Sequence, residues 1–187
     1  GDFKAHEFSI RGTAWTEVKD ENEFLITAGD DRKIKIWNNE FELVLEKEFE
    51  FPVHDLTTDG YFIHAIFGDG SYKVLDIKEL KVFIDIEGGE NLPSKISSYN
   101  YKIAIGTIKG NVVIIDYYTF IYTSIFENKL KKPEILEIRK ADNNYVRDIS
   151  FSKNGKYLAI GLKNSVEIYN ISKQSKIHEI KFDEEVM

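Results

Sequence analysis

The sequence predicts an all-β chain built from about four repeated units, each a four-stranded antiparallel sheet. Three observations carry this. A turn-plus-strand segment occurs four times, the first copies are almost evenly spaced, and apolar runs too short for helices flank each copy. The segments are DRKIKIWN at Asp31–Asn38, DGSYKVLD at Asp69–Asp76, KGNVVIID at Lys109–Asp116 and KNSVEIYN at Lys163–Asn170. Their closing positions Trp37, Leu75, Ile115 and Tyr169 lie 38, 40 and 54 residues apart. The first two spacings match a repeat of about 40 residues holding four strands; the third implies an insertion.

Taken in chain order, each unit opens on a weakly marked strand: Thr13–Trp15, Val53–Leu56, Lys95–Ser97 and Val146–Phe151. A more apolar second strand follows at Phe24–Ala28, Tyr61–Ile66, Lys102–Ile105 and Tyr157–Ile160. In the last unit Asn154-Gly155 marks the hairpin turn between these two strands. The repeated segment supplies the third strand. An outer strand with one wet face is expected at Leu43–Leu45, Val82–Ile86, Phe120–Ile125 and Lys176–Ile180. The units so defined span 6–49, 50–88, 92–126 and 144–182. The Lys-, Glu- and Asn-rich stretch 127–143 around Pro133 reads as an inserted loop in which 134–140 adds a short helix or strand.

Over 187 residues, 42% hydrophobic and 13% aromatic content suffices for a packed core and is too apolar for disorder. A net charge of −7 is unsuited to nucleic acid, which needs a concentrated basic face to displace counterions. With no cysteine there is no disulfide framework, no zinc–thiolate site and no thiol nucleophile, which fits a reducing compartment such as the cytoplasm. No stretch approaches the roughly 20 apolar residues that span a bilayer, so no membrane partner is expected.

The first unit resembles a WD repeat. In that family a His before the blade, a Ser or Thr on its second strand, an Asp in the tight turn and a Trp on the third strand form a hydrogen-bonded chain. His6, Thr27, Asp31 and Trp37 stand at those places. The residue types suit the role: a buried carboxylate needs donors, an imidazole links it to a hydroxyl, and an indole N–H only donates. Such a set is structural. A hydrolytic triad would also need an exposed nucleophile and an oxyanion hole, and neither has a counterpart here. Later units depart from the pattern, with Leu75, Ile115 and Tyr169 at the Trp position, so their blades are expected to rest mostly on apolar packing, with Asp69 a solvated turn residue.

The resemblance implies a partial β-propeller of about four blades, used as a protein-binding scaffold and not as an enzyme. The order of the less typical repeats resembles the echinoderm microtubule-associated protein-like family: GDGSYKVLD at Gly68–Asp76, EGGEN at Glu87–Asn91, AIGT at Ala104–Thr107 and FSKNGKYLAIG at Phe151–Gly161. That likeness implies tubulin or microtubules as partner and a cytoskeletal place in the cytoplasm; the alternative is a general adaptor presenting a peptide-binding rim in another complex. Four blades do not close a ring, so a second copy, or further blades of a longer chain, is expected to complete it.

Other chemistry is thinly marked. His6, His54, His64 and His178 show no metal-ligand spacing, the glycines at 68–70 and 106–110 open no helix that would cradle a phosphate, and no cofactor is expected. The one basic concentration, Lys129, Lys131, Lys132, Arg139 and Lys140, is the candidate contact for an acidic partner, set against a plain solubilising loop. Tyr117, Tyr118, Phe120 and Tyr122 are candidate aromatic anchors at a rim.

Overall fold

The computed structural model describes residues 4–18, 22–118 and 134–182. It contains sixteen strands among the described residues, in four four-stranded sheets. Sheet one holds β1 (Ile10–Val18), β2 (Asn22–Gly29), β3 (Lys33–Trp37) and β4 (Leu43–Glu48). Sheet two holds β5 (Val53–Thr58), β6 (Phe62–Phe67), β7 (Tyr72–Asp76) and β8 (Val82–Ile86). Sheet three holds β9 (Pro93–Tyr99), β10 (Lys102–Thr107), β11 (Val112–Asp116) and β12 (Glu134–Arg139). Sheet four holds β13 (Asp148–Phe151), β14 (Tyr157–Gly161), β15 (Ser165–Asn170) and β16 (Ser175–Lys181). Strand order follows chain order in every sheet, which is the meander of a propeller blade. The all-β, four-bladed class is therefore what the chain adopts, and no helix among the described residues is long and apolar enough to cross a membrane.

The outer strand of sheet three differs from the expectation. The strand paired to β11 is Glu134–Arg139, with Leu136 opposite Ile114 and Ile135 opposite Ile115; the expected strand at 120–125 lies outside the described residues. Residues 134–139, where a short helix or strand is expected inside the inserted loop 127–143, thus supply the outer strand of sheet three. Glu134 and Glu137 are both exposed and give it the charged look of a loop, as edge strands often have.

The chain divides into two compact units, Gly1–Ile96 and Ser97–Met187. In the first, sheet one packs Ile26, Ala28, Ile34 and Ile36 against Val53, Leu56, Ile63, Ala65, Phe67 and Leu75 of sheet two. These residues alternate along their strands, as a face that is buried requires. Burying each branched side chain contributes about 1.5–3 kcal/mol. Gly12 permits the approach, since a Cβ there would lie 2.7 Å from the Leu56 amide nitrogen. In the second unit Ala104, Val112, Ile114 and Ile138 of sheet three meet Ile149, Leu158, Ile160 and Tyr169 of sheet four.

The tight turns before the third strands of sheets one, two and three are built alike. The amides of Arg32, Gly70 and Gly110 donate to the carbonyls of Gly29, Phe67 and Thr107, with φ of 66°, 89° and 91°. Glycine meets that demand without strain in two of them; Arg32 adopts it beside Asp31, which receives the Lys33 amide. At Asn154-Gly155 the hairpin turn is present, closed by Gly155 N–H to the Ser152 carbonyl at 2.8 Å.

Candidate functional site

Sheet one brings His6, Thr27, Asp31 and Trp37 together. Trp37 Nε1 donates to Thr27 Oγ1 at 2.9 Å, His6 Nε2 lies 2.7 Å from the same oxygen, and His6 Nδ1 lies 2.8 and 2.9 Å from the two Asp31 oxygens. Because the indole only donates, the hydroxyl accepts from it and passes its own proton toward Nε2, which leaves Nδ1–H to donate to the carboxylate. The Glu7 amide also donates to Asp31, at 3.1 Å. Burial pushes the Asp31 carboxyl up, but the hydrogen bonds from His6, Glu7 and Lys33 outweigh it and hold the group below its ordinary range. All four residues are buried. The network ties the segment before β1 to the β2–β3 turn and to β3, so its chemistry is spent on geometry.

Two buried polar groupings were not visible in the sequence. In sheet two His64 Nδ1 lies 2.8 Å from the Tyr72 hydroxyl and Nε2 lies 3.5 Å from Asp59. His64 is wholly buried, and burial holds it below its ordinary range although Asp59 pulls the other way. In the second unit Arg139 Nε donates to Glu167 Oε2 at 2.8 Å, while its other nitrogens reach Asp142 at 2.9 and 2.6 Å and the Gly110 carbonyl at 2.6 Å. Glu167 also accepts from Tyr169 at 3.0 Å and from Lys176 at 3.2 Å. Burial pushes Glu167 up, but these donors hold it below its ordinary range; burial and Glu167 together push the Tyr169 hydroxyl up to about 12. These groupings add buried polar contacts to the apolar packing of the later sheets. Asp69 caps its own turn, accepting from the Ser71 amide and hydroxyl at 3.0 and 2.7 Å.

Arg139 is thus no partner contact: it is 6% exposed and clamps sheet three to sheet four. Lys129, Lys131 and Lys132 lie outside the described residues, as do Phe120 and Tyr122. Of the proposed aromatic anchors, Tyr117 is buried and Tyr118 is exposed, both edge-on to Tyr101. Among the described residues no group of three or more His, Asp or Glu side chains is placed to hold a metal ion.

Among the described residues, the sequence did not single out one exposed apolar group. Trp15, Leu25, Trp37 and Leu43 pair in a row across sheet one, and Phe41 in the β3–β4 turn stands edge-on to Trp15 at 6.5 Å. Trp15 is 55% exposed, Phe41 49% and Leu43 48%. Asn38 holds the turn by accepting the Glu40 and Glu42 amides at 3.0 and 2.8 Å.

Residues 1–38 match the family model described as WD domain, G-beta repeat, which covers sheet one through β3. No curated protein matches the chain.

Proposed function

We propose that the chain is a protein-interaction scaffold of the WD-repeat kind. The observation that carries this is the cluster of Trp15, Phe41 and Leu43 on a rigid sheet, since large aromatic and aliphatic side chains held at a surface are what protein partners bury. The polar groupings that would suggest catalysis in a sequence are occupied in holding blades together. Proteins with WD repeats commonly serve as such scaffolds, and the match at residues 1–38 supports the same reading. A second copy of the chain, or further blades, is the proposed cover for its exposed sheet faces.

Tubulin, with a cytoskeletal place in the cytoplasm, is the specific partner implied by the resemblance of Gly68–Asp76 and Phe151–Gly161 to the microtubule-associated family; the general adaptor is the alternative. With Arg139 committed to Glu167, a tubulin contact falls to Lys129, Lys131 and Lys132. Microtubule co-sedimentation at two salt concentrations tests it. Pelleting that weakens with salt and is lost on Lys129→Glu/Lys131→Glu/Lys132→Glu supports tubulin; a folded chain that stays in the supernatant favours the adaptor.

A further inference from the structure

Within each unit one sheet covers the next with the same face. Sheet one uses Ile26, Ala28, Ile34 and Ile36, each at most 1% exposed. Sheet three uses Ala104 opposite Ile114 and Gly106 opposite Val112, all four buried. Sheet four repeats that set residue for residue, Ala159 opposite Ile168 and Gly161 opposite Val166. There, however, all four are only half-buried, and Ile180, which pairs with Val166 from the outer strand, is 45% exposed. Sheet four therefore carries the same four inner-strand residues with much of their face open to water, flanked on the neighbouring strands by Asp148 opposite Gly161, Ser150 opposite Ala159 and His178 opposite Ile168.

Sheet one shows the complementary face. The row Trp15, Leu25, Trp37 and Leu43 corresponds by strand pairing to Thr58, Ile63, Leu75 and Val82 of sheet two. Ile63 and Leu75 are fully buried under sheet one. The turns correspond as well, since Phe41 and Leu80 both take a left-handed φ, of 61° and 54°, after Asn38 and Asp76. Leu80 is tucked into the core of the first unit, with Lys47 of sheet one donating to its carbonyl at 2.8 Å. The contact between sheets one and two thus shows what kind of surface sits on a face of this kind: the covering face of another blade.

We infer that sheet four of one copy of the chain seats on sheet one of another, with Val166, Ile168 and Ile180 against Trp15, Phe41 and Leu43. This rests on the scaffold reading and names a partner for it. A second copy is the occupant because the chain itself carries both halves: the set with which sheet three covers sheet four, and the kind of face such a set covers. The centre of the contact is apolar, and each copy carries a net charge of −7, so salt strengthens it by screening repulsion between copies. A contact of basic residues with tubulin behaves in the opposite way.

Sedimentation velocity over a range of concentration, at low and at moderate salt, tests the inference. The wild type is expected to form a dimer or larger species, more so in salt. Trp15→Glu and Ile180→Glu each weaken self-association at least tenfold while keeping the wild-type circular dichroism. An equimolar mixture of the two variants regains association, because one intact sheet-one face then meets one intact sheet-four face. If Trp15→Glu unfolds, Phe41→Asn probes the same contact from the exposed turn. A wild type that stays monomeric throughout overturns the inference, as does association lost in Trp15→Glu but kept in Ile180→Glu, which would mean sheet one pairing with itself. A monomer that still pellets with microtubules overturns this contact and leaves the scaffold reading standing.

Discussion

Phe41 and Leu80 both take a left-handed φ in the turn before the fourth strand of their sheets, the second turn being one residue longer, yet Leu80 is 1% exposed and Phe41 is 49% exposed. A side chain with a Cβ costs about 1 kcal/mol in that conformation, and at Leu80 burial offsets the cost. At Phe41 exposure leaves it largely standing. Phe41→Asn is therefore expected to stabilise the folded chain by about 0.5–1 kcal/mol, since asparagine tolerates this region. Leu80→Asn should destabilise by about 3 kcal/mol, because a buried apolar group becomes an amide. Urea denaturation of both variants checks the pair, and equal effects of one sign would remove the distinction.

The chain from Trp37 through Thr27 and His6 to Asp31 makes a second prediction. Asp31→Ala leaves His6 Nδ1 and the Glu7 amide without their acceptor, and the expected loss is about 3 kcal/mol. Trp37→Phe removes one donor to Thr27 and part of the indole surface, at about 1–2 kcal/mol. If the four residues act as a network, the double variant loses less than the sum of the two. Strict additivity in chemical denaturation would show that they act separately.

Sequence made the hydrogen-bonded chain of the first sheet legible, because a His, a Thr, an Asp and a Trp at fixed spacing have few ways to satisfy one another. The period of the third strands likewise placed four sheets. At 134–140 the sequence predicts a short helix or strand inside a loop, and its place as the outer strand of sheet three escaped because Glu134, Glu137 and Arg139 make an edge strand look like a loop, although Leu136 and Ile138 alternate through it. The pairings of His64 with Tyr72 and of Arg139 with Glu167 escaped for another reason. Each depends on which strand faces bring two residues together, and a lone His on a strand or an Arg in a charged run gives no local sign of it. The uncovered row of Trp15 and Leu43 was hidden in the same way, since whether an apolar row is covered is a property of the neighbouring sheet.

Arg139 is the clamp between sheets three and four, so removing its charge should leave the buried Glu167 with only the exposed Lys176 as a charged partner. Arg139→Met is expected to cost about 3–5 kcal/mol. Arg139→Lys supplies a single ammonium where the guanidinium reaches Glu167, Asp142 and the Gly110 carbonyl at once, and should recover only part of that. Arg139→Met with Glu167→Leu should come back toward wild-type stability, because neither charge is then left unpaired. A double variant as unstable as Arg139→Met alone would mean that the loss is one of packing.

His64 predicts a pH dependence that sets in before the carboxylates titrate. Its folded pKa lies below the unfolded value of 6.5, so below that pH the unfolded chain binds a proton that the folded chain refuses. Stability from this group is present above 6.5 and is lost as pH falls toward the folded pKa, at up to about 1.4 kcal/mol per pH unit. Asp31, Asp142 and Glu167 have lowered values, so their contributions are lost only below ordinary values of 3.8, 3.8 and 4.5. Asp55 carries the opposite sign: burial raises it, so the folded chain gains relative stability as it is protonated. The informative quantity is therefore the difference between wild type and His64→Gln, which cancels Asp55 and the other acids. Urea midpoints measured from pH 7.5 to 5 should fall more steeply in the wild type than in His64→Gln; parallel curves would show that His64 takes up its proton within the fold.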